Sequence, residues 1–376
     1  MRRSAEVSDP RRAGQQRTCP GPTGAHRSGV EGVCDHFILT RRCGHPRFVA
    51  RVGAPGPTPH TGCSPGILDM LPRSRAATRC RSSVRIRLGE DLWALVQALG
   101  TGLAGITTLT TLPSRLRSRA AFRLDLLDGR VVKARRLNSV GEAERVERLS
   151  RFLDPQCFPK VLARRGAALL TEWAHGTPLG STADKAALFR RAGSVQATMH
   201  CRALPAGLLR AARVSEAGRE ARLDRRLHEL VRFGALPARE ARRAWAIALA
   251  HVPPRRAVGL VHGDFCAENM VRGVDGRLRI VDNEALSVGA CDYDLARTWY
   301  RWPMTESQAA AYFDGYAGRR GPDAFVAAFP YWAVMALVDA VVFRVRARTR
   351  DARAPLARLA ALLRDARPPI AAAGRR

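Results

Sequence analysis

The stretch 260–284 constrains this chain more than any other. It reads Leu-Val-His-Gly-Asp-Phe-Cys-Ala-Glu-Asn-Met-Val-Arg-Gly-Val-Asp-Gly-Arg-Leu-Arg-Ile-Val-Asp-Asn-Glu. An apolar lead-in delivers Asp264, a short loop separates it from Asn269, and Met270-Val271 starts a strand. Asp275-Gly276 is a strong hairpin signal, so 278–281 returns as the partner strand and brings Asp282 back beside Asn269. The result is one carboxylate able to orient or deprotonate a hydroxyl, with an Asn and an Asp able to hold Mg²⁺ on nucleotide phosphates. Phosphoryl transfer needs this set of groups. The alternative is a polar hairpin in an unrelated domain, its acids simply solvated.

Type, order and spacing together carry a resemblance. His-Gly-Asp, four residues, Asn, then Ile-Val-Asp resembles the superfamily of aminoglycoside phosphotransferases, choline kinases and related small-molecule kinases. The resemblance implies an α+β fold with two lobes, protein-kinase-like, with a small β-rich N-lobe and a larger helical C-lobe. It implies Asp264 as catalytic base, Asn269 and Asp282 as metal ligands, and ATP and Mg²⁺ as cofactors. The partners it implies are a nucleotide and a small-molecule hydroxyl acceptor. His262 is expected to support the loop by hydrogen bonding.

Charge does not override this reading. The chain of 376 residues carries 63 Lys and Arg against 33 acids, a net charge of +30, which ordinarily points to nucleic acid or an anionic surface. Only three of those cations are Lys (Lys133, Lys160 and Lys185), so the excess is almost all Arg. Beside abundant Ala, Gly and Pro, that skew reads as codon bias. Residues 251–350 are close to balance, with 13 Arg against 11 acids. No nucleic-acid partner is expected, since no aromatic interleaving accompanies the basic residues. Nine Cys in no paired framework, the lack of an apolar run in the first residues, and no membrane-length apolar stretch imply a cytoplasmic protein without a membrane span.

Residues 1–85 differ from the rest. The first 80 hold nine of the 23 Pro, five of the nine Cys, and 13 Arg against five acids, with no persistent helical or strand period. Cys34, His36, Cys43 and His45 invite a zinc reading, but their spacing matches no recognised finger. A disordered or non-native basic leader is the expectation.

The N-lobe is expected over 86–175. A helix from Asp91 presents Leu92, Ala94, Leu95 and Leu99. Strands follow at 106–112, 121–127 and 130–137, with a phosphate-covering loop at 113–120. That loop holds no Gly, a departure from the expected pattern. Lys133 falls where the third strand presents its nucleotide-binding lysine. In a chain that uses Arg almost everywhere, a compact ammonium there points to phosphate oxygens. The helix 139–153 places Ala143, Val146, Leu149 and Phe152 inward. By the family pattern Glu142 is the partner of Lys133, with Glu144 as rival. The apolar strand 167–173 leads into a hinge whose backbone near Glu172 and Ala174 would bind adenine.

The C-lobe is expected over 176–367, followed by a loose tail, 368–376. A helix capped by Ser181 or Thr182 carries Leu188, Ala192, Val195 and Met199. One Arg-rich helix is expected over 214–233, with Val214, Ala217, Leu223, Leu227 and Leu230 inward, and another over 238–251. Asp294, at the start of the next helix, is expected to brace the catalytic loop. Helical segments at 305–318, 322–346 and 354–364 complete the lobe. Two other readings stand beside a small-molecule kinase: a lipid or saccharide-core kinase at a membrane surface, and a catalytically inactive kinase-fold binding module. The base, the Asn and the metal Asp are all present, which disfavours the second.

Overall fold

A computed structural model describes residues 83–109, 121–179, 186–347, 352–366 and 368. All of these lie in one compact unit of the chain, His36–Arg376. The expected leader up to residue 82, the loop 113–120 and the caps Ser181 and Thr182 lie outside the described residues.

The N-lobe is built on a five-stranded antiparallel sheet. Its strands are β1 (Leu103–Thr108), β2 (Ala121–Leu126), β3 (Val131–Arg136), β4 (Val161–Arg165) and β5 (Ala168–Glu172), in the spatial order β1-β2-β3-β5-β4. Alternation sorts its side chains to two faces. Phe122, Leu124, Leu126, Val132, Ala134 and Leu170 face a core closed by α1 (Glu90–Ala98) through Leu92, Leu95 and Val96, with Leu88 just before it. Burying a Leu such as Leu92 contributes about 1.5–3 kcal/mol. The opposite face meets α2 (Val140–Ser150) through Ala143, Val146 and Leu169. Ser139 caps α2, its hydroxyl accepting from Glu142 N at 3.2 Å.

After β6 (Thr177–Pro178) the chain enters the helical C-lobe. Helix α3 (Ala186–His200) is followed by α4 (Ala206–Ala217) and α5 (Arg219–Arg232). The single helix expected over 214–233 is therefore two, parted at Gly218. Val214 is exposed and so is Ala217, because they belong to the end of α4 and not to the buried stripe of Leu223, Leu227 and Leu230 on α5. Next come α6 (Ala238–Ala250), β7 (Val258–Val261), β8 (Met270–Arg272), β9 (Leu278–Ile280) and β10 (Ser287–Ala290). Strand β8 pairs with β6 and β9, while β10 pairs with β7.

Helices α7 (Cys291–Arg301), α8 (Glu306–Ala317), α9 (Asp323–Ala327), α10 (Phe329–Arg346) and α11 (Arg353–Arg364) complete the lobe. The 322–346 segment is thus two helices, and α10 is buried from Phe329 to Val342. Asp339 is tolerated inside it because Arg226 pairs with it and the Tyr293 hydroxyl donates to it. No helix among the described residues is long and apolar enough to cross a membrane.

Candidate active site

The hairpin forms as its sequence predicts. Met270, Val271 and Arg272 pair with Ile280, Arg279 and Leu278, and Val281 N donates to Asn269 O at 2.8 Å. Asn269 ends a short 3₁₀ turn (Ala267–Asn269), while Asp282 opens another (Asn283–Ala285), so the two flank the open end of the hairpin. Asp282 adopts φ 69° and ψ 46°, the only positive φ outside glycine among the described residues. A left-handed Asp is held there by its surroundings, a form of local strain that concentrates at functional sites.

Asp264 is buried at 2 % exposure, with both carboxylate oxygens engaged. Asn269 Nδ2 donates to Oδ2 at 3.0 Å and to the Asp264 carbonyl at 2.9 Å. That orientation leaves the Asn269 Oδ1 as the acceptor end of the amide. Arg301 Nε donates to Asp264 Oδ1 at 2.9 Å, and its Nη2 reaches Glu268 at 3.2 Å. Sequence reasoning missed Arg301; it lies 37 residues away from Asp264 on α7, and no local pattern announces it.

The loop before Asp264 hangs on Asp294. His262 N and Gly263 N donate to the two Asp294 oxygens at 3.2 and 2.7 Å, as expected of a brace. Gln196 Nε2 donates at 2.8 Å, and His200 Nε2 lies at 3.1 Å. Burial pushes the Asp294 carboxyl up, but the hydrogen bond and charge of His200 outweigh it and bring it down to about 2. His262 is wholly buried. Its Nδ1 accepts from Asp264 N at 3.3 Å, and its Nε2 faces Asn283 Oδ1 at 3.1 Å. It supports the loop, and Asn283 holds the ring. Gly263 sits at φ 77°, where a Cβ would come within 2.8 Å of the Ala285 carbonyl.

Between the lobes lies a cleft of about 840 Å³, open solvent included, lined among others by Lys133, Val146, Glu172, Ala174 and Asp282. Lys133 Nζ donates to Asp282 Oδ1 at 3.0 Å. Burial raises the Asp282 carboxyl, and Lys133 and Arg135 together overcome that and hold it well below the usual range. Glu142 is not the partner of Lys133. It occupies the first turn of α2, where its carboxylate accepts from Asn138 N at 3.1 Å and from Asn138 Nδ2 at 3.3 Å. The physical reason is the helix start: Ser139 is the cap, so Glu142 folds back over its own N-terminus. At the hinge, Glu172 N is already committed to Lys160 O at 3.0 Å, and the Glu172 carboxylate accepts from Lys160 N. Ala174 lines the cleft directly.

The donor set suits a metal that arrives with phosphate. Among the described residues no group of three or more His, Cys, Asp or Glu is arranged to hold an ion. An amide oxygen and one carboxylate are what Mg²⁺ takes from protein when phosphates and water supply the rest.

A sheet lobe over a helical lobe, with a brace-hung Asp, an Asn and a cleft-facing Lys–Asp pair, defines the kinase-like phosphotransferases. Solved structures share the fold. A macrolide 2′-phosphotransferase type I is 16 % identical, over 76 % of this chain and 97 % of that one, with a TM-score of 0.53. The ADP-bound aminoglycoside phosphotransferase APH(2″)-Ib is 15 % identical over 73 % and 96 %, with a TM-score of 0.51. An ethanolamine kinase of Plasmodium vivax is 9 % identical over 68 % and 81 %, also at 0.51. Among curated proteins none matches the chain in sequence. The sequence model of the phosphotransferase enzyme family (APH) matches residues 108–329, and the chain belongs to that family.

Proposed function

We propose that this chain is an ATP- and Mg²⁺-dependent kinase that phosphorylates a hydroxyl of a small molecule. The observation that carries the reading is the convergence of Lys133, Asp282, Asn269 and Asp264 on the open end of one hairpin beneath the cleft. Asp264 is the base: its carboxylate receives the hydroxyl proton as the acceptor oxygen bonds to the γ-phosphorus and the bond to the β–γ bridging oxygen breaks. Arg301 and Asn269 fix the two Asp264 oxygens so that the remaining lone pairs keep one direction. Lys133 holds phosphate oxygens, and the hinge around Glu172 and Ala174 receives the base of the nucleotide. Mg²⁺ held by Asn269 and Asp282 would offset the charge on the phosphates.

Among the described residues Cys157, Cys201, Cys266 and Cys291 are free, and burial pushes the Cys266 and Cys291 thiols up to about 12. The test is a metabolite-pool phosphorylation screen read by mass spectrometry, with D264N as control. A phosphorylated metabolite formed by wild type and not by D264N is the expected result. Equal products from both proteins would reject Asp264 as the base.

A further inference from the structure

The cleft carries one cation more than the roles above use. Arg135 stands two residues after Lys133 on β3, and alternation puts both side chains on the cleft face while Val132 and Ala134 enter the core under α1. The Arg135 side chain is 12 % exposed and ion-paired with both Asp282 and Glu284. Lys133 shares the same Asp282 oxygen. Glu284 is equally enclosed, and the turn that carries it is tied to α2, where Arg145 donates to Glu284 O at 3.4 Å and Leu286 O at 3.2 Å.

Two cations and two carboxylates therefore meet at the end of the cleft where phosphates would enter. A buried guanidinium is costly unless it is fully paired, so a solvent-facing strand Arg is not an adequate description of Arg135. Both carboxylate contacts of Arg135 run through Nη1, whose two N–H groups can part company, one keeping Glu284 while the other turns from Asp282 to a phosphate oxygen.

We propose that Arg135, anchored by Glu284, is a second phosphate-binding cation of the nucleotide site. This rests on reading the cleft as a nucleotide site. Arg135 lies on Asp282. When a nucleotide enters, the Asp282 contact passes to a phosphate oxygen, the Glu284 contact persists, and Asp282 is released to its metal. Glu284 thereby acquires the positioning role that the start of α2 does not supply.

The test is calorimetric titration of the full chain with adenosine, ADP and ATP, first in EDTA and again with Mg²⁺, for wild type, R135Q, R135K and E284Q. In wild type, affinity rises with phosphate number. R135Q loses about ten- to a hundredfold of its ATP affinity, while adenosine binding stays within about threefold. R135K falls between them. If R135Q does not melt cooperatively, E284Q decides: an unanchored Arg135 weakens ATP several-fold and leaves adenosine unchanged. Equal losses for adenosine and ATP, or ATP affinity untouched by R135Q, overturn the proposal by making the pair a structural strut. Wild type that binds neither ADP nor ATP in either buffer overturns the nucleotide reading itself, and this proposal with it.

Discussion

Asp264 on its loop and Asp294 on α7 are both buried carboxylates, and their neighbours give them different work. Asp264 is held by an amide and a guanidinium, whereas Asp294 is wrapped by backbone N–H groups, Gln196 and His200. D264N is therefore expected to lower turnover by about 10²–10⁴-fold, measured with the acceptor that the screen identifies, and to lower the melting temperature as well, because it breaks the buried ion pair with Arg301. Asp294 predicts a pH effect. Its folded carboxyl lies at about 2, below the ordinary 3.8, so its contribution is fully present above pH 4 and is lost as pH falls toward 2. The size is about 2 kcal/mol. Denaturant titrations at pH 6, 4 and 3 should show the stability gap between wild type and D294N narrowing with acid; a constant gap would contradict the assignment. At this scale the sequence was legible for placement along a strand or hairpin: Lys133 reaches the cleft from β3, and Asn269 and Asp282 flank the open end of the hairpin. It was not legible where the partner comes from a distant element. Glu142 was paired with Lys133 by position along a helix, but the cap at Ser139 turned it back on Asn138. Arg135 could have been found, since two steps along a strand returns to the same face.

Helix α3 and helix α8 pack closely enough to bring backbone to backbone. A Cβ on Gly193 would fall on the Tyr312 carbonyl, and one on Gly315 would fall on the Arg190 carbonyl. G315V is therefore expected to cost about 3 kcal/mol, because neither backbone can yield without moving the buried helix that carries Gln196 and His200. The denaturation midpoint measures it, and a midpoint equal to wild type would show that the crossing is loose. Most elements were readable from punctuation: Ser139 and Thr305 cap α2 and α8 where the sequence placed helix starts. Gly218 parted α4 from α5 unnoticed, since a lone Gly in an Arg-rich run looks tolerable in a helix. Strand β4 went unread. Its Val-Leu-Ala-Arg-Arg has no clean alternation, and it becomes a strand by pairing with β5.

Across the whole molecule, the run between Asp282 and Asp294 decides what kind of acceptor can be reached. Its first residues form the 3₁₀ turn, Ser287–Ala290 pairs with β7, and α7 starts at Cys291. An ordinary protein kinase needs a long segment here as a platform for an extended peptide, and an Arg in place of Gly263 to hold a phosphorylated switch. Incubation with ATP and generic protein substrates is therefore expected to give no phosphoprotein above the D264N background. Asp264-dependent labelling of a folded protein would overturn that expectation. The same pairing of β10 with β7 has a physiological consequence. A segment already spent on strand and helix cannot double as a dimmer, so phosphatase treatment of the purified protein should leave its rate unaltered.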